Sequence, residues 1–312
     1  MYRLRRPRTS VFLPRVILST ALLLTLVYFL VVGIGAEAIY RHHTDNRWTK
    51  LVERIFPYPA VVINNTVIPL SRYREEVAAL TVHSEKQKIV TTQADIGRLV
   101  MNQFIDRTLY QQELTNYHIQ ISDKDVDNSL LDFDKQIGGQ DKLAAYLQEN
   151  YGPTFGLAEF RLLLRDYLNQ AAVQNQLLVH AEVRDIFFAL PSNPTSDQVE
   201  AIRQKALGVR GKIPDAAHFA DAAKQYSEDL NSRDKGGLLG TTTHGDDQPV
   251  ISADFENTVF SIPVGQISQP VRSTQGWHLI LVDKREGTLN ESLKQLTSEL
   301  RKKGKIQAFI GT

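Results

Sequence analysis

Residues 16–36 carry no charge, and only Ser19, Thr20, Thr25 and Tyr28 interrupt the apolar run. About 20 such residues at ~1.5 Å each cover ~30 Å, the thickness of a hydrocarbon core, so the pattern predicts a transmembrane anchor over 16–36. A soluble helix is rarely apolar on every face for so long. The alternative is a cleaved export signal, because Ala36-Glu37-Ala38 has the small-x-small form of a cleavage site. Residues 37–60 then read as a stalk. Arg41 to Lys50 is polar, and Pro57 and Pro59 bracket a short aromatic patch.

Beyond the stalk the period changes twice. Val61-Val62-Ile63 and Val67-Ile68, separated by Asn64-Asn65, predict a short hairpin. From there to residue 180 the apolar positions recur every three or four residues, which is helical spacing. Ile96, Leu99, Val100, Phe104, Ile105 and Leu109 make one stripe, and Leu163, Leu164, Tyr167, Leu168 and Ala171 another. Ser122-Asp-Lys-Asp125 has the form of a capping box, and Gly138-Gly139 stops the helix it starts. Residues 61–180 are therefore expected to be an α-helical domain.

At 181 the pattern becomes mixed. Val183 to Leu190 is strand-like, Thr195 with Gln198 caps a helix, and a second helix follows Pro214. A stretch rich in Gly, Ser, Thr and Asp leads to a short helix at Phe255, Val259 and Phe260. Ile267 to Val271 and Trp277 to Val282 read as strands. Strands and helices interleaved over about 105 residues predict a compact α+β domain over 181–286. A final amphipathic helix carries Leu289, Leu293, Leu296, Leu300, Ile306 and Phe309. It is expected to complete the helical domain with residues 288–310.

Composition narrows the function classes. The 312 residues are 42% hydrophobic and 23% charged, which excludes wholesale disorder and a polytopic membrane protein. No cysteine is present, so a disulfide scaffold, a thiol nucleophile and a Cys-ligated metal are excluded. The net charge of +1 hides an asymmetry: of 36 basic and 35 acidic residues, Arg3, Arg5, Arg6, Arg8, Arg15 and Glu37 lie in the first 40 positions, leaving 31 and 34, a net of −3. A mildly acidic body does not attract polyphosphate, so nucleic acid is not an expected partner. The arginines keep residues 1–15 cytoplasmic and send the body across the membrane by the positive-inside rule, with the lipid bilayer as a partner of the anchor.

Simple chemical signatures are missing. No HExxH, phosphate-binding glycine loop or GxSxG elbow occurs. His42-His43 offers two adjacent imidazoles with no third ligand, so no metal is expected. Gly236-Gly237-Leu-Leu-Gly240 lacks the context of a phosphate cradle and reads as a tight turn into a strand.

What stands out is an ordered set of segments: Tyr226-Ser-Glu-Asp229, Lys235-Gly-Gly-Leu-Leu-Gly240, Phe255-Glu256 with Phe260, Pro263-Val-Gly-Gln-Ile-Ser-Gln-Pro-Val271 and Gly276-Trp-His-Leu-Ile-Leu-Val282. In this order and spacing, over about a third of the chain, they resemble the parvulin (PpiC-like) family of peptidyl-prolyl cis/trans isomerases. Asn102-Gln-Phe-Ile-Asp-Arg-Thr-Leu-Tyr110 and Ile121-Ser-Asp-Lys-Asp-Val126 are similar to the helical region of SurA/PrsA-type chaperones of the bacterial envelope. The resemblance implies a four-stranded antiparallel sheet with surrounding helices and a C-terminal helix that returns to the helical domain.

It also implies a site. By motif position Leu239, Ile251 and Phe255 would form an apolar floor for a proline ring. Asp229 takes a pocket position where the family has Asp or Cys, His278 takes the second of two family histidines, and Ser273 matches a hydroxyl position beside it. The first family histidine is Asp185 here, the pocket methionine is Ile251, and the aromatic pair after the glycine turn is Thr241-Thr242. An Asp185–His278 hydrogen bond is expected to maintain the sheet floor. No cofactor is implied. The function this suggests is an anchored extracytoplasmic foldase acting on exported or unfolded polypeptides that contain Xaa-Pro bonds. The alternative is a holdase that keeps the parvulin fold as a peptide-binding module without turnover.

Overall fold

In the computed structural model, residues 25–42, 44, 46–245 and 252–310 are described. They fall into two compact units, one drawn from Met1–Ile105, Ala144–Gly156 and Lys305–Thr312, the other from Asp106–Leu143 and Leu157–Gly304.

The first unit holds helix 25–36, which gives way to a π-helical turn at Glu37–Arg41. Helix α1 (Arg47–Ile55) begins at a reciprocal capping box between Asn46 and Thr49. Strands β1 (Pro59–Ile63) and β2 (Thr66–Pro69) pair as the expected hairpin, with Asn64 at φ 53° in the turn. Helix α2 (Leu70–Lys86) follows, and α3 (Gln93–Asn116) runs from this unit into the second.

The expected transmembrane helix over 16–36 is not supported. Residues 16–24, like the basic tail 1–15, lie outside the described residues. Among the described residues no helix is long and apolar enough to cross a membrane. At the described end of the apolar run the Tyr58 hydroxyl donates to the Val32 carbonyl at 2.9 Å and Gly35 is buried against Tyr58, whereas Leu26, Phe29, Leu30 and Ile34 are exposed. A hydropathy run cannot distinguish apolar faces that meet lipid from apolar faces that meet protein.

The second unit contains α4 (Asp123–Ile137), which starts at the predicted Ser122/Asp125 box and ends at Gly138 in a left-handed cap. Helix α5 (Gln140–Tyr151) spans the boundary between units, and α6 (Leu157–Ala172) continues as a π-helical turn Val173–Leu177. Helices α4 and α6 are joined by the ion pairs Arg161–Asp127 and Arg165–Asp123 and by the Phe133 and Phe160 rings at 5.0 Å.

The rest of this unit is built on one antiparallel sheet. It comprises β3 (His180–Ala189), β4 (Leu238–Thr243), β5 (Val271–Arg272) and β6 (Gly276–Glu286), in the order β4-β3-β6-β5. Helices α7 (Ser196–Arg210) and α8 (Phe219–Tyr226) cover one face, and α9 (Ala253–Ser261) lies on the other. Period-2 alternation sorts the strands: Ile186, Phe188, Leu279 and Leu281 join the α7/α8 core, while Ala181, Val183, Ile280 and Val282 join Phe255, Val259 and Phe260 of α9. The mixed α+β class and the four-stranded antiparallel sheet agree with the sequence reading.

The last amphipathic segment differs from its expectation. Helix α10 covers only Leu293–Lys303, capped by Ser292 with Gln295. Within the second unit it meets the end of α3, where Arg301 makes two hydrogen bonds to Asp106 and Tyr110 bonds Thr297. Leu289 is in a bridge with Leu178, outside the helix. Ile306 and Phe309 leave the helix too, because β7 (Ile306–Ala308) pairs with β1 in the first unit. Backbone pairing outcompetes the helical spacing of these apolar residues.

Candidate functional site

Two neighbouring strands and one turn assemble the site. Asp185 on β3 and His278 on β6 both face α9, because odd residues of β3 and even residues of β6 share that side. Register sets Phe187 opposite His278 and Asp185 opposite Ile280. The turn between β5 and β6 brings Ser273 beside His278.

The three polar groups form a chain. His278 Nδ1 lies 2.7 Å from Asp185 Oδ2, and His278 Nε2 lies 2.9 Å from Ser273 Oγ. Asp185 and His278 are each 2% exposed and Ser273 is 4% exposed. An ionised Asp185 only accepts, so Nδ1 carries the proton and Nε2 accepts the Ser273 hydroxyl. Burial pushes the Asp185 carboxyl above the ordinary carboxylate range, against the opposing effect of His278 and with the help of the Asp229 charge. Its second oxygen, Oδ1, has no hydrogen-bond partner.

The connectivity is that of a serine hydrolase triad, but the chemistry is not. Ser273 Oγ accepts the amides of Gly276 at 3.1 Å and Gln275 at 3.2 Å. Its lone pairs are occupied and it is sealed from solvent, so it is not presented as a nucleophile. The chain fixes the His278 ring.

Aromatic rings enclose that ring. Phe187 stacks on it at 4.9 Å and 29°, and Phe255 meets it edge-on at 5.2 Å and 81°. Phe255 is held by α9, whose N-cap Ser252 accepts the Phe255 amide and donates to the Arg272 carbonyl. Two glycines permit the close packing. A Cβ on Gly237 would strike the Asp185 carbonyl, and one on Gly276 would strike Phe188 and the Phe187 ring.

The other expected site residues are placed differently. Asp229 sits in the loop after α8, which is stitched to β3 by the Phe187 amide on Ser227 Oγ and the Glu228 amide on the Phe187 carbonyl. Its carboxylate accepts from Ser232 Oγ and the Asn231 amide. Partial burial alone would raise its pKa, but these hydrogen bonds outweigh that and hold it below the usual range. Leu239 is 42% exposed at a β-bulge, where Val183 pairs with Gly240 and Arg184 with Leu238. Ile251 lies outside the described residues. The structure thus brings Asp185, His278, Ser273 and Phe255 together, and it adds Phe187, which motif matching missed. The signal was available: Val183, Asp185 and Phe187 alternate along one strand. Among the described residues, no group of three or more His, Asp or Glu side chains could hold a metal.

Comparisons bear on this domain. Residues 186–284 match the PPIC-type PPIASE domain of the Rotamase family. The chaperone SurA of Chromobacterium violaceum is 46% identical over 100 residues, 32% of this chain and 21% of that protein. The foldase protein PrsA 2 of Bacillus cereus is 26% identical over 229 residues, 70% of this chain and 75% of that protein. A crystal structure of PrsA from Bacillus anthracis is 23% identical, with 65% of this chain and 86% of that chain covered and a TM-score of 0.29. The chain spans about a fifth of the SurA relative's length. It carries, over residues 186–284, a rotamase domain of the PPIC type, the parvulin family, and is similar beyond it to PrsA foldases.

Proposed function

We propose that the protein is an extracytoplasmic foldase that speeds cis/trans isomerisation of Xaa-Pro bonds in exported polypeptides. In this reading 181–286 is the isomerase domain, and 61–180 with 288–310 is a helical chaperone domain. The observation that carries it is the His278 ring, fixed at both nitrogens and flanked by Phe187 and Phe255. Five arginines ahead of an apolar run and a chain free of cysteine suit an exported protein.

The chemistry asked of the site is modest. An unaided prolyl bond crosses a barrier of ~20 kcal/mol, in tens to hundreds of seconds. No covalent bond breaks. A planar amide is more charge-separated than a twisted one, so an apolar surface that takes the proline ring out of water favours the twisted state. Phe255 would supply that surface. Asp185, His278 and Ser273 are positioning residues beneath it and do not touch substrate.

The test is a protease-coupled isomerisation assay on an Xaa-Pro tetrapeptide with the full chain. Acceleration that falls at least about tenfold in Phe255→Ala is the expected result, since a tenfold loss is only ~1.4 kcal/mol of transition-state stabilisation. No acceleration by the folded protein would overturn the reading. A second reading, a holdase without turnover, is favoured by Asp185 standing where the family has histidine and by the exposure of Leu239. Suppression of aggregation of an unfolded client without isomerisation would select it.

A further inference from the structure

A surface that isomerisation does not use lies in the first unit, on helix α1. At about 100° per residue the positions of this helix divide into three arcs. Thr49, Val52 and Glu53 face inward and are buried, with Glu53 paired to Arg74. Trp48, Leu51 and Ile55 fall together on the outer side and are 41%, 55% and 61% exposed. Arg47, Lys50 and Arg54 fill the arc beside them and are exposed too. The outer half of α1 therefore carries three large apolar side chains and three cations, and no acidic group.

Helix 25–36 extends the apolar side. Tyr28 meets Phe56, the residue after Ile55, with ring centroids 5.1 Å apart, and Gly35 lies against Val52 on the inner side of α1. Around Tyr28, the side chains of Leu26, Phe29 and Leu30 are exposed as well. Single exposed leucines are ordinary, but large apolar residues gathered on adjoining helices mark a surface that meets lipid or protein. Charge decides between the two. The core of a protein–protein interface is depleted in charged residues, and lysine above all. A helix that rests on a bilayer instead sets Trp and Leu beside Lys and Arg, the apolar side among the acyl chains and the cations at the phosphates. Helix α1 has the second pattern.

We infer that α1 is a membrane-surface helix: it lies flat on an anionic bilayer, with Trp48, Leu51 and Ile55 at the headgroup boundary and Arg47, Lys50 and Arg54 on lipid phosphates. It rests on the bilayer and does not cross it. The contact needs neither proline nor an unfolded client, so it is independent of the isomerase reading. Its consequence is positional, because it keeps the first unit at a membrane surface whatever the other unit binds.

The test uses the full chain, whose lack of cysteine lets a nitroxide be placed at one position at a time. Labels at Leu51→Cys and Ile55→Cys are compared with one at Asp197→Cys, an exposed position on α7. On vesicles containing phosphatidylglycerol, the ratio of collisions with oxygen to collisions with a water-soluble nickel complex is expected to be at least about tenfold higher at 51 and 55 than at 197. On pure phosphatidylcholine the ratio at 51 is expected to fall toward that at 197, a comparison that needs no change in α1 beyond the label. Each cation near an anionic surface contributes about fivefold, so Arg47→Gln, Lys50→Gln and Arg54→Gln together are expected to weaken the hold of α1 about a hundredfold. Labels at 51 and 55 that stay in water on anionic vesicles overturn the proposal, even if another part of the chain binds them. Insertion indifferent to both lipid charge and the three substitutions overturns it too. So does shielding from both relaxants with spin–spin broadening that grows with protein concentration, which marks a second copy as the occupant.

Discussion

The two faces of the four-stranded sheet answer different demands. Toward α7 and α8, Ile186, Phe188, Leu279 and Leu281 meet Ala206, Val209, Phe219 and Ala223 in a wholly apolar core. Toward α9, the same two strands begin apolar with Ala181, Val183, Ile280 and Val282 and end in Asp185 and His278. One face is apolar scaffold where α7 and α8 cover it. The other gives up hydrophobic burial at one end to hold a polar chain, and that is where Phe187 and Phe255 converge. Polar groups so deeply buried are costly unless bonded, so their presence on one face only marks that face as the specialised one.

Variants can break this contrast, and the largest effect belongs to the scaffold. Phe219→Ala should destabilise by about 4 kcal/mol through transfer loss and an unfilled cavity. Urea unfolding measures it, and the fraction still folded should keep the parent's rate, whatever it is, in the isomerisation assay. Asp185→Ala should cost about 3 kcal/mol, because it strands a buried imidazole without its carboxylate. Here activity should fall as well, beyond what the folded fraction explains. Ser273→Ala should cost about 2 kcal/mol, since it leaves His278 Nε2 and the Gly276 amide unpaired in the interior. If these two site-face variants lost stability but kept full activity per folded molecule, the faces would be equivalent and the contrast would fail.

The smallest effect is the most diagnostic. Asp185→Asn keeps an acceptor for His278, so its cost should stay below about 1 kcal/mol. Burial raises the Asp185 pKa, so the folded state holds that proton to higher pH than the unfolded chain does. Stability from this group is present below the ordinary carboxylate pKa of about 3.9 and is lost as pH rises toward the raised value. The Asn variant does not titrate, so its stability relative to the parent should improve as pH rises through that window. Asp229 has the opposite sign: its lowered pKa gives stability above the ordinary value that is lost on acidification. Asp229→Asn should therefore compare worst at neutral pH. Parallel pH profiles for the parent and both variants would show that neither carboxylate is perturbed.

Much of this is legible in the sequence. Alternation along residues 183–188 and 277–282 sorts the two faces, and the Ser122/Asp125 and Thr195/Gln198 boxes form where the sequence places them. The Asp185–His278 contact was expected from a family position occupied by a different residue type. Other features were hidden for physical reasons. Alternation puts Phe187 on the face of Val183 and Asp185, but only cross-strand register sets it opposite His278. Leu239 sits at a β-bulge that no local pattern announces. The apolar run before residue 37 gives no sign that Tyr58 packs on its end, and the spacing of Ile306 and Phe309 continues a helix that backbone pairing ends.

The small sheet of the first unit joins β1 to residues far along the chain. Lys305 donates to the Asn64 side chain across 241 residues, and β7 pairs with β1 beside it. During synthesis, β1 must wait as an unfinished hairpin until residue 308 has been released, while the whole second unit can already be native. Closing so long a loop is inexpensive in free energy but slow in time. A nascent chain stalled before β7 should therefore present a completed sheet domain and an open, protease-sensitive first unit, with its last three-residue strand acting as the latch.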